Sequence, residues 1–118
     1  MKKTAILIIL AIIIIIGVIF LFKNLNTPKP AAGLTFYYGQ ECPHCAAVEA
    51  FLKANNIDQK VKINRLEVYH NQTNADQMVS VAQKCGITGN QIGVPLLWDG
   101  SKCYEGEVDV ENYFQQYK

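Results

Sequence analysis

Thr4 to Phe22 is a run of 19 residues without a charge, dominated by Ile and Leu and bracketed by Lys2-Lys3 and Lys23. At about 1.5 Å per residue, a helix of this length crosses a hydrocarbon core of roughly 30 Å. A secretory signal peptide has a shorter apolar stretch, usually 7–15 residues, that ends in a small-x-small site. Here the run is longer, and Lys23-Asn24-Leu25-Asn26-Thr27-Pro28-Lys29-Pro30 follows it before Ala31, Ala32 and Gly33. The pattern predicts an uncleaved signal anchor over residues 1–22. A short, proline-containing extended tether is expected over residues 23–33.

From residue 34 to 118 the pattern changes to short alternating and helical periods. Leu34 to Tyr38 reads as a first strand. Pro43 suits the first turn of a helix, where no backbone N–H is required. Val48, Phe51 and Leu52 give that helix a core-facing stripe, and Asn55-Asn56 end it. Val61 to Val68 reads as a second strand, with Val61 and Ile63 alternating before the phase shifts at Leu66. Asn74 with Gln77 resembles a capping box that opens a second helix, along which Ala75, Met78, Val79, Ala82 and Cys85 recur. Pro95 to Trp98 and Ser101 to Tyr104 flank Asp99-Gly100, a two-residue hairpin signal. Asp109 is placed to cap a last helix with Val110, Tyr113, Phe114 and Tyr117 on one face. The order β-α-β-α-β-β-α predicts a compact α/β domain: a mixed four-stranded sheet around one small core, with helices on both faces.

Charge is unevenly divided. Lys2, Lys3, Lys23 and Lys29 flank the apolar span and are explained as headgroup anchors. From Ala31 onward the chain holds seven basic and ten acidic side chains, about −3. No basic patch with interleaved aromatics is present, which argues against nucleic acid as a partner. The lysines on the two sides of the span give only a small bias toward a cytoplasmic N-terminus. Cysteine usage adds to it. All four cysteines lie beyond the span in a domain of fewer than 90 residues. An even count in a small domain behind an export segment points to an oxidising, extracytoplasmic compartment.

Cys42-Pro43-His44-Cys45 carries the chemistry. Two cysteines separated by two residues at a strand-to-helix junction can close a small disulfide ring. The first thiol then lies at the positive end of the helix, where its thiolate is stabilised. Cys42 is the expected nucleophile and Cys45, one turn further in, the resolving thiol. His44 can donate a hydrogen bond or partial positive charge to the Cys42 thiolate, which would make the disulfide a stronger oxidant. Half of a zinc site is the competing reading, but zinc ribbons show a second CxxC or CxxH, and Cys85 and Cys103 stand alone. No metal is expected. His70 has no evident partner and reads as surface. Trp98 and the Tyr and Phe side chains read as core. Cys85 and Cys103 are either a structural disulfide, contributing roughly 3 kcal/mol by loop entropy, or two buried free thiols acting as small apolar residues.

The element order, the CxxC at the first strand–helix junction and Gly93-Val94-Pro95 at the start of the third strand together resemble the thioredoxin superfamily, over about residues 34–118. The resemblance implies a cis Val94–Pro95 bond against the active disulfide, with the backbone of Val94 free to pair with an extended substrate peptide. Pro-His between the cysteines matches the DsbA-type oxidants, whereas the compact length is similar to glutaredoxin or a minimal thioredoxin. Thioredoxins carry Trp before the first cysteine and a buried acid six residues before it. Here Glu41 and Phe36 hold those places. Glu49 is a conceivable substitute for the acid, or simply an exposed helical glutamate.

These observations lead to a membrane-tethered thiol–disulfide oxidoreductase acting on cysteines of exported proteins, in the oxidising or isomerising direction. It needs no cofactor beyond the Cys42–Cys45 disulfide. The resemblance also implies an electron partner such as a quinone-linked membrane protein of the DsbB or vitamin-K-epoxide-reductase type. The alternatives are a glutaredoxin-like reductase using the same residues, or a non-catalytic module that holds a peptide at Pro95.

Overall fold

The computed structural model describes residues 1–25 and 33–118, so most of the expected tether over 23–33 lies outside the described residues. Helix α1 spans Lys2–Leu25. Its segment Lys2–Phe22 is long and apolar enough to cross a membrane, and none of it is buried against the rest of the chain. By length and composition alone, an N-terminal signal sequence also satisfies this description.

Strand β1 (Thr35–Tyr38) reads Thr-Phe-Tyr-Tyr and is buried or nearly so throughout. A strand covered on both faces shows such a continuous run, because each successive side chain enters a different core. β1 pairs in parallel with β2 (Asn64–Glu67) and antiparallel with β3 (Leu96–Trp98), and β3 pairs antiparallel with β4 (Cys103–Glu105). The sheet order is β2-β1-β3-β4. The expected second strand is shortened: Val61 and Ile63 precede β2 and pack at the edge of the core instead. β2 is a strand only where β1 offers it a partner.

Three helices complete the fold: α2 (Pro43–Ala54), α3 (Gln72–Lys84) and α4 (Gly106–Phe114). α2 and α4 cover one face of the sheet. There Phe36 and Leu97 meet Val48, Leu52, Ile57, Val110 and Phe114, all fully buried. α3 covers the other face, where Tyr37 and Leu96 meet Met78, Val81 and Ala82. The single core expected from the sequence is therefore two apolar clusters separated by the sheet. Truncating Leu52, with none of its surface exposed, to alanine would cost about 2–5 kcal/mol.

Three local expectations are corrected. The cap of α3 is Asn71, whose Oδ1 accepts from the Asn74 amide at 3.0 Å. Asn74 itself is committed to the Glu67 carbonyl, 2.8 Å away. The helix therefore starts one turn earlier than the Asn74/Gln77 pattern indicates. The last helix likewise begins at Gly106 after Glu105, and Asp109 sits in its first turn rather than at its cap. There its negative charge lies in the turn where the helix end is positive. In the hairpin, the Asp99 amide donates to the Lys102 carbonyl at 3.1 Å, so Gly100 and Ser101 are the central residues. Gly100 has φ +100, the backbone that a primed turn requires at its first central position. The Asp99 carboxylate accepts from the amides of Ser101 and Lys102 and from Tyr104 Oη. Desolvation alone would raise its pKa, but these bonds outweigh it and hold it below the ordinary carboxylate value.

Candidate active site

Gly39 closes a tight turn at the end of β1 by accepting from the Cys42 amide at 3.2 Å. Cys42 then takes the N-cap position of α2 with extended backbone, φ −88 and ψ 112, and Pro43 begins the helix. Serine, threonine or aspartate usually supplies the side-chain acceptor at this position. Here the acceptor is sulfur: Cys42 Sγ lies 3.1 Å from the Cys45 amide. The attacking sulfur expected from the motif is thus also the cap of its helix. Developing negative charge on it would meet an N–H group and the positive helix end.

Cys42 and Cys45 are joined in a disulfide, with their Cα atoms 5.2 Å apart. Cys42 is 7% exposed and Cys45 2%. The Val94–Pro95 peptide bond is cis, and the Val94 carbonyl oxygen lies 3.9 Å from Cys42 Sγ. A groove lined by His44, Val94, Pro95, Glu105, Glu107 and Asp109 runs along one side of the motif. A second, smaller depression meets the disulfide itself, between Tyr38, Gln40, Ala46 and Glu49. Residues Cys42, Pro43, His44, Cys45, Val94 and Pro95 are therefore brought to one place from two separate stretches of the chain.

The histidines behave differently from their sequence reading. His44 is well exposed, and its Nδ1 donates to Glu107 Oε2 at 2.7 Å. In the disulfide state it is engaged with the first turn of α4, 63 residues away, and not with the sulfur. His70 is exposed as expected, but it has a partner. Its Nε2 donates to Glu41 Oε1 at 2.7 Å, one residue from Cys42. The hydrogen bond to Glu41, then that carboxylate's charge, raises the His70 pKa above its ordinary 6.5; slight desolvation opposes this and Glu67 adds to it. No spacing rule links residues 41 and 70, and only the parallel pairing of β1 with β2 brings their loops together.

Glu49 is neither a buried acid nor a free surface glutamate. Arg65 on β2 holds it in a fork, Nε to Oε1 at 2.7 Å and Nη2 to Oε2 at 3.2 Å, and reaches Asp58 with its other edge. These bonds, the one to Glu49 first, raise the Arg65 pKa. Phe36, in the position where thioredoxins carry their acid, is fully buried. Behind the disulfide, then, lies an aromatic ring, and Glu49, which lines the depression beside it, is paired with a guanidinium.

Cys85 and Cys103 form a second disulfide, with Cα atoms 6.0 Å apart. It ties the end of α3 to β4, away from the first. Among the described residues no group of three or more His, Cys, Asp or Glu side chains is placed to hold a metal ion.

No protein-family model matches the chain. No curated protein matches it significantly either. Solved structures do. A buckwheat glutaredoxin–glutathione complex superposes with a TM-score of 0.53 at 16% identity, covering 74% of this chain and 72% of that one. The holo form of glutaredoxin C1 from Populus tremula x tremuloides gives a TM-score of 0.53 at 17% identity, over 74% and 71% of the two chains. Oxidized glutaredoxin 2 from Chlamydomonas reinhardtii gives 0.50 at 16% identity, over 74% and 75%. At such identity the likeness speaks for the fold. The described domain has the compact thioredoxin-like fold of these glutaredoxins, with a CxxC disulfide at the start of α2.

Proposed function

We propose that the protein is a membrane-tethered thiol–disulfide oxidoreductase that passes its Cys42–Cys45 disulfide to cysteines of exported proteins. The carrying observation is the placement of Cys42 Sγ: it caps α2, accepts the Cys45 amide at 3.1 Å and faces the Val94 carbonyl at 3.9 Å. A substrate thiolate attacks Cys42, the Cys42–Cys45 bond breaks, and Cys45 leaves as a thiolate that takes a proton. A second substrate thiolate then attacks the mixed disulfide, releasing oxidised substrate and leaving both cysteines reduced. Turnover requires a partner that removes the two electrons and two protons; a quinone-linked membrane protein has the right chemistry. Val94 and Pro95 form the wall along which an extended substrate strand would lie.

The apolar helix supports tethering, and the engagement of all four cysteines in disulfides supports an oxidising compartment outside the cytoplasm. The oxidising or isomerising direction rests on the cap geometry, since whatever stabilises the Cys42 thiolate stabilises the reduced form and strengthens the oxidant. A glutaredoxin-like reductase is the second reading, favoured by the compact fold it shares with glutaredoxins. Equilibrating Cys42–Cys45 against glutathione separates the two: a strongly reducing potential removes the oxidant reading. Cys45→Ser is expected to freeze mixed disulfides on Cys42, and their mass-spectrometric identification names substrates and electron partner together. Absence of trapped species in cells would overturn the exchange mechanism.

A further inference from the structure

The turn that carries Cys42 is held from a distance. Residues 67–70, which join β2 to α3, grip residues 39–41 through several contacts. The Glu67 carboxylate accepts from the Gln40 amide at 3.2 Å as well as from the amides of Tyr69 and His70 at 2.8 and 2.9 Å. Desolvation works to raise its pKa, but those three amides together lower it, so it stays charged. The Tyr69 ring lies over Gly39 so closely that a Cβ there would run into it. Asn74 Nδ2 fastens the same segment from α3 by donating to the Glu67 carbonyl at 2.8 Å. At the end of this grip, His70 Nε2 holds Glu41 Oε1 at 2.7 Å.

Glu41 is the residue before the reactive sulfur. A free carboxylate there would oppose the formation of a second negative charge on Cys42. Paired with an imidazolium, it does so far less. We infer that His70 is a positioning residue for thiol–disulfide exchange: by pairing with Glu41 it neutralises the charge next to Cys42 and so sets the fraction of that sulfur present as thiolate. The inference rests on the proposed role of Cys42 as the attacking and attacked sulfur. The charged groups that face His70 are Glu41, from the active-site turn, and Glu67, from the end of β2. Both favour its protonated form.

The test is the pH dependence of Cys42 alkylation by iodoacetamide in the full-length chain, with Cys42–Cys45 reduced and the modified residue located by mass. Loss of a unit charge close to a sulfur near the surface moves its titration by on the order of half a pH unit. His70→Ala is expected to raise the Cys42 midpoint by that amount, an about threefold lower thiolate fraction in mildly acidic buffer. His70→Lys, a permanent cation, is expected to restore the midpoint. Glu41→Gln added to His70→Ala is expected to return it to the native value or below. An unchanged midpoint in His70→Ala overturns the inference. So does a double variant that keeps the full His70→Ala shift, because that identifies a structural rather than an electrostatic role. A native chain whose Cys42–Cys45 pair exchanges with no dithiol removes the reading beneath it, and the inference with it.

Discussion

The two disulfides sit at opposite ends of helices. Cys42 is the N-cap of α2, its sulfur accepting from an amide. Cys85 is the C-cap of α3, where unpaired carbonyls give the helix its negative end. Its partner Cys103 has Sγ 3.8 Å from the Val81 carbonyl oxygen. Exposure does not distinguish them in the expected direction: Cys42 and Cys45 are buried, whereas Cys85 and Cys103 are half-buried. The surrounding dipoles do. Each pair has one sulfur near a carbonyl oxygen, Cys42 Sγ at 3.9 Å from Val94 and Cys103 Sγ at 3.8 Å from Val81. Only Cys42 also has an N–H group and a positive helix end to stabilise a thiolate. On this geometry the Cys42–Cys45 bond is expected to exchange more readily than Cys85–Cys103.

The largest effect that would break this contrast is chemical. Cys42→Ser should abolish disulfide transfer to a dithiol peptide, while the double variant Cys85→Ala/Cys103→Ala should retain it. Retained transfer in Cys42→Ser would assign the chemistry to the wrong pair. The next effect is energetic. Losing the Cys85–Cys103 bond, with its sequence separation of 18, should lower stability by roughly 3 kcal/mol by loop entropy, measured as a shift in denaturant midpoint. Opening the short Cys42–Cys45 ring should cost less than that.

A graded reduction series, with alkylation and mass analysis at each step, sharpens the contrast further. Cys42–Cys45 should open first, with at least about tenfold separation in equilibrium constant, which corresponds to about 1.4 kcal/mol. Simultaneous opening would show that helix-end dipoles do not govern these bonds. A smaller effect is pH-dependent. Because the His70 pKa is raised from 6.5, its pairing stabilises the fold in full below that pH and loses this contribution as pH rises through the folded value. His70→Ala should flatten that segment of a stability–pH curve. The smallest effect lies in the α3-side core. Tyr37 Oη is buried and finds no hydrogen-bond partner among the described residues, and desolvation pushes its pKa up to about 12. Tyr37→Phe should be neutral or stabilising by about 1 kcal/mol, read by thermal unfolding.

Legibility in the sequence followed the range of the interactions. Cys42 to Cys45 could be read because strand end, turn and helix start are consecutive residues, and Pro43 marks the junction. The β-α-β-α-β-β-α order was readable for the same reason, since each element announces itself within about ten residues. Caps were harder. Asn71 and Asn74 are both good caps in isolation, and the choice was made by the Glu67 carbonyl that claims the Asn74 side chain. Glu49 is held by Arg65, 16 residues on, a pairing that no local pattern announces.

The amino-acid order alone determined that a charge-free apolar segment precedes a small α/β domain with a redox-capable cysteine pair at a helix start. These follow from residue-by-residue hydropathy and from dipoles that act within one turn. The tertiary structure alone decided what surrounds that pair: Val94 across from Cys42, Glu107 on His44, and His70 on Glu41. Those partners lie 52, 63 and 29 residues apart, and they meet only because the sheet order β2-β1-β3-β4 and the packing of α4 against α2 bring their loops to the end of β1. Charge–charge and hydrogen-bond energies depend on distances in space, and the sequence records only distances along the chain.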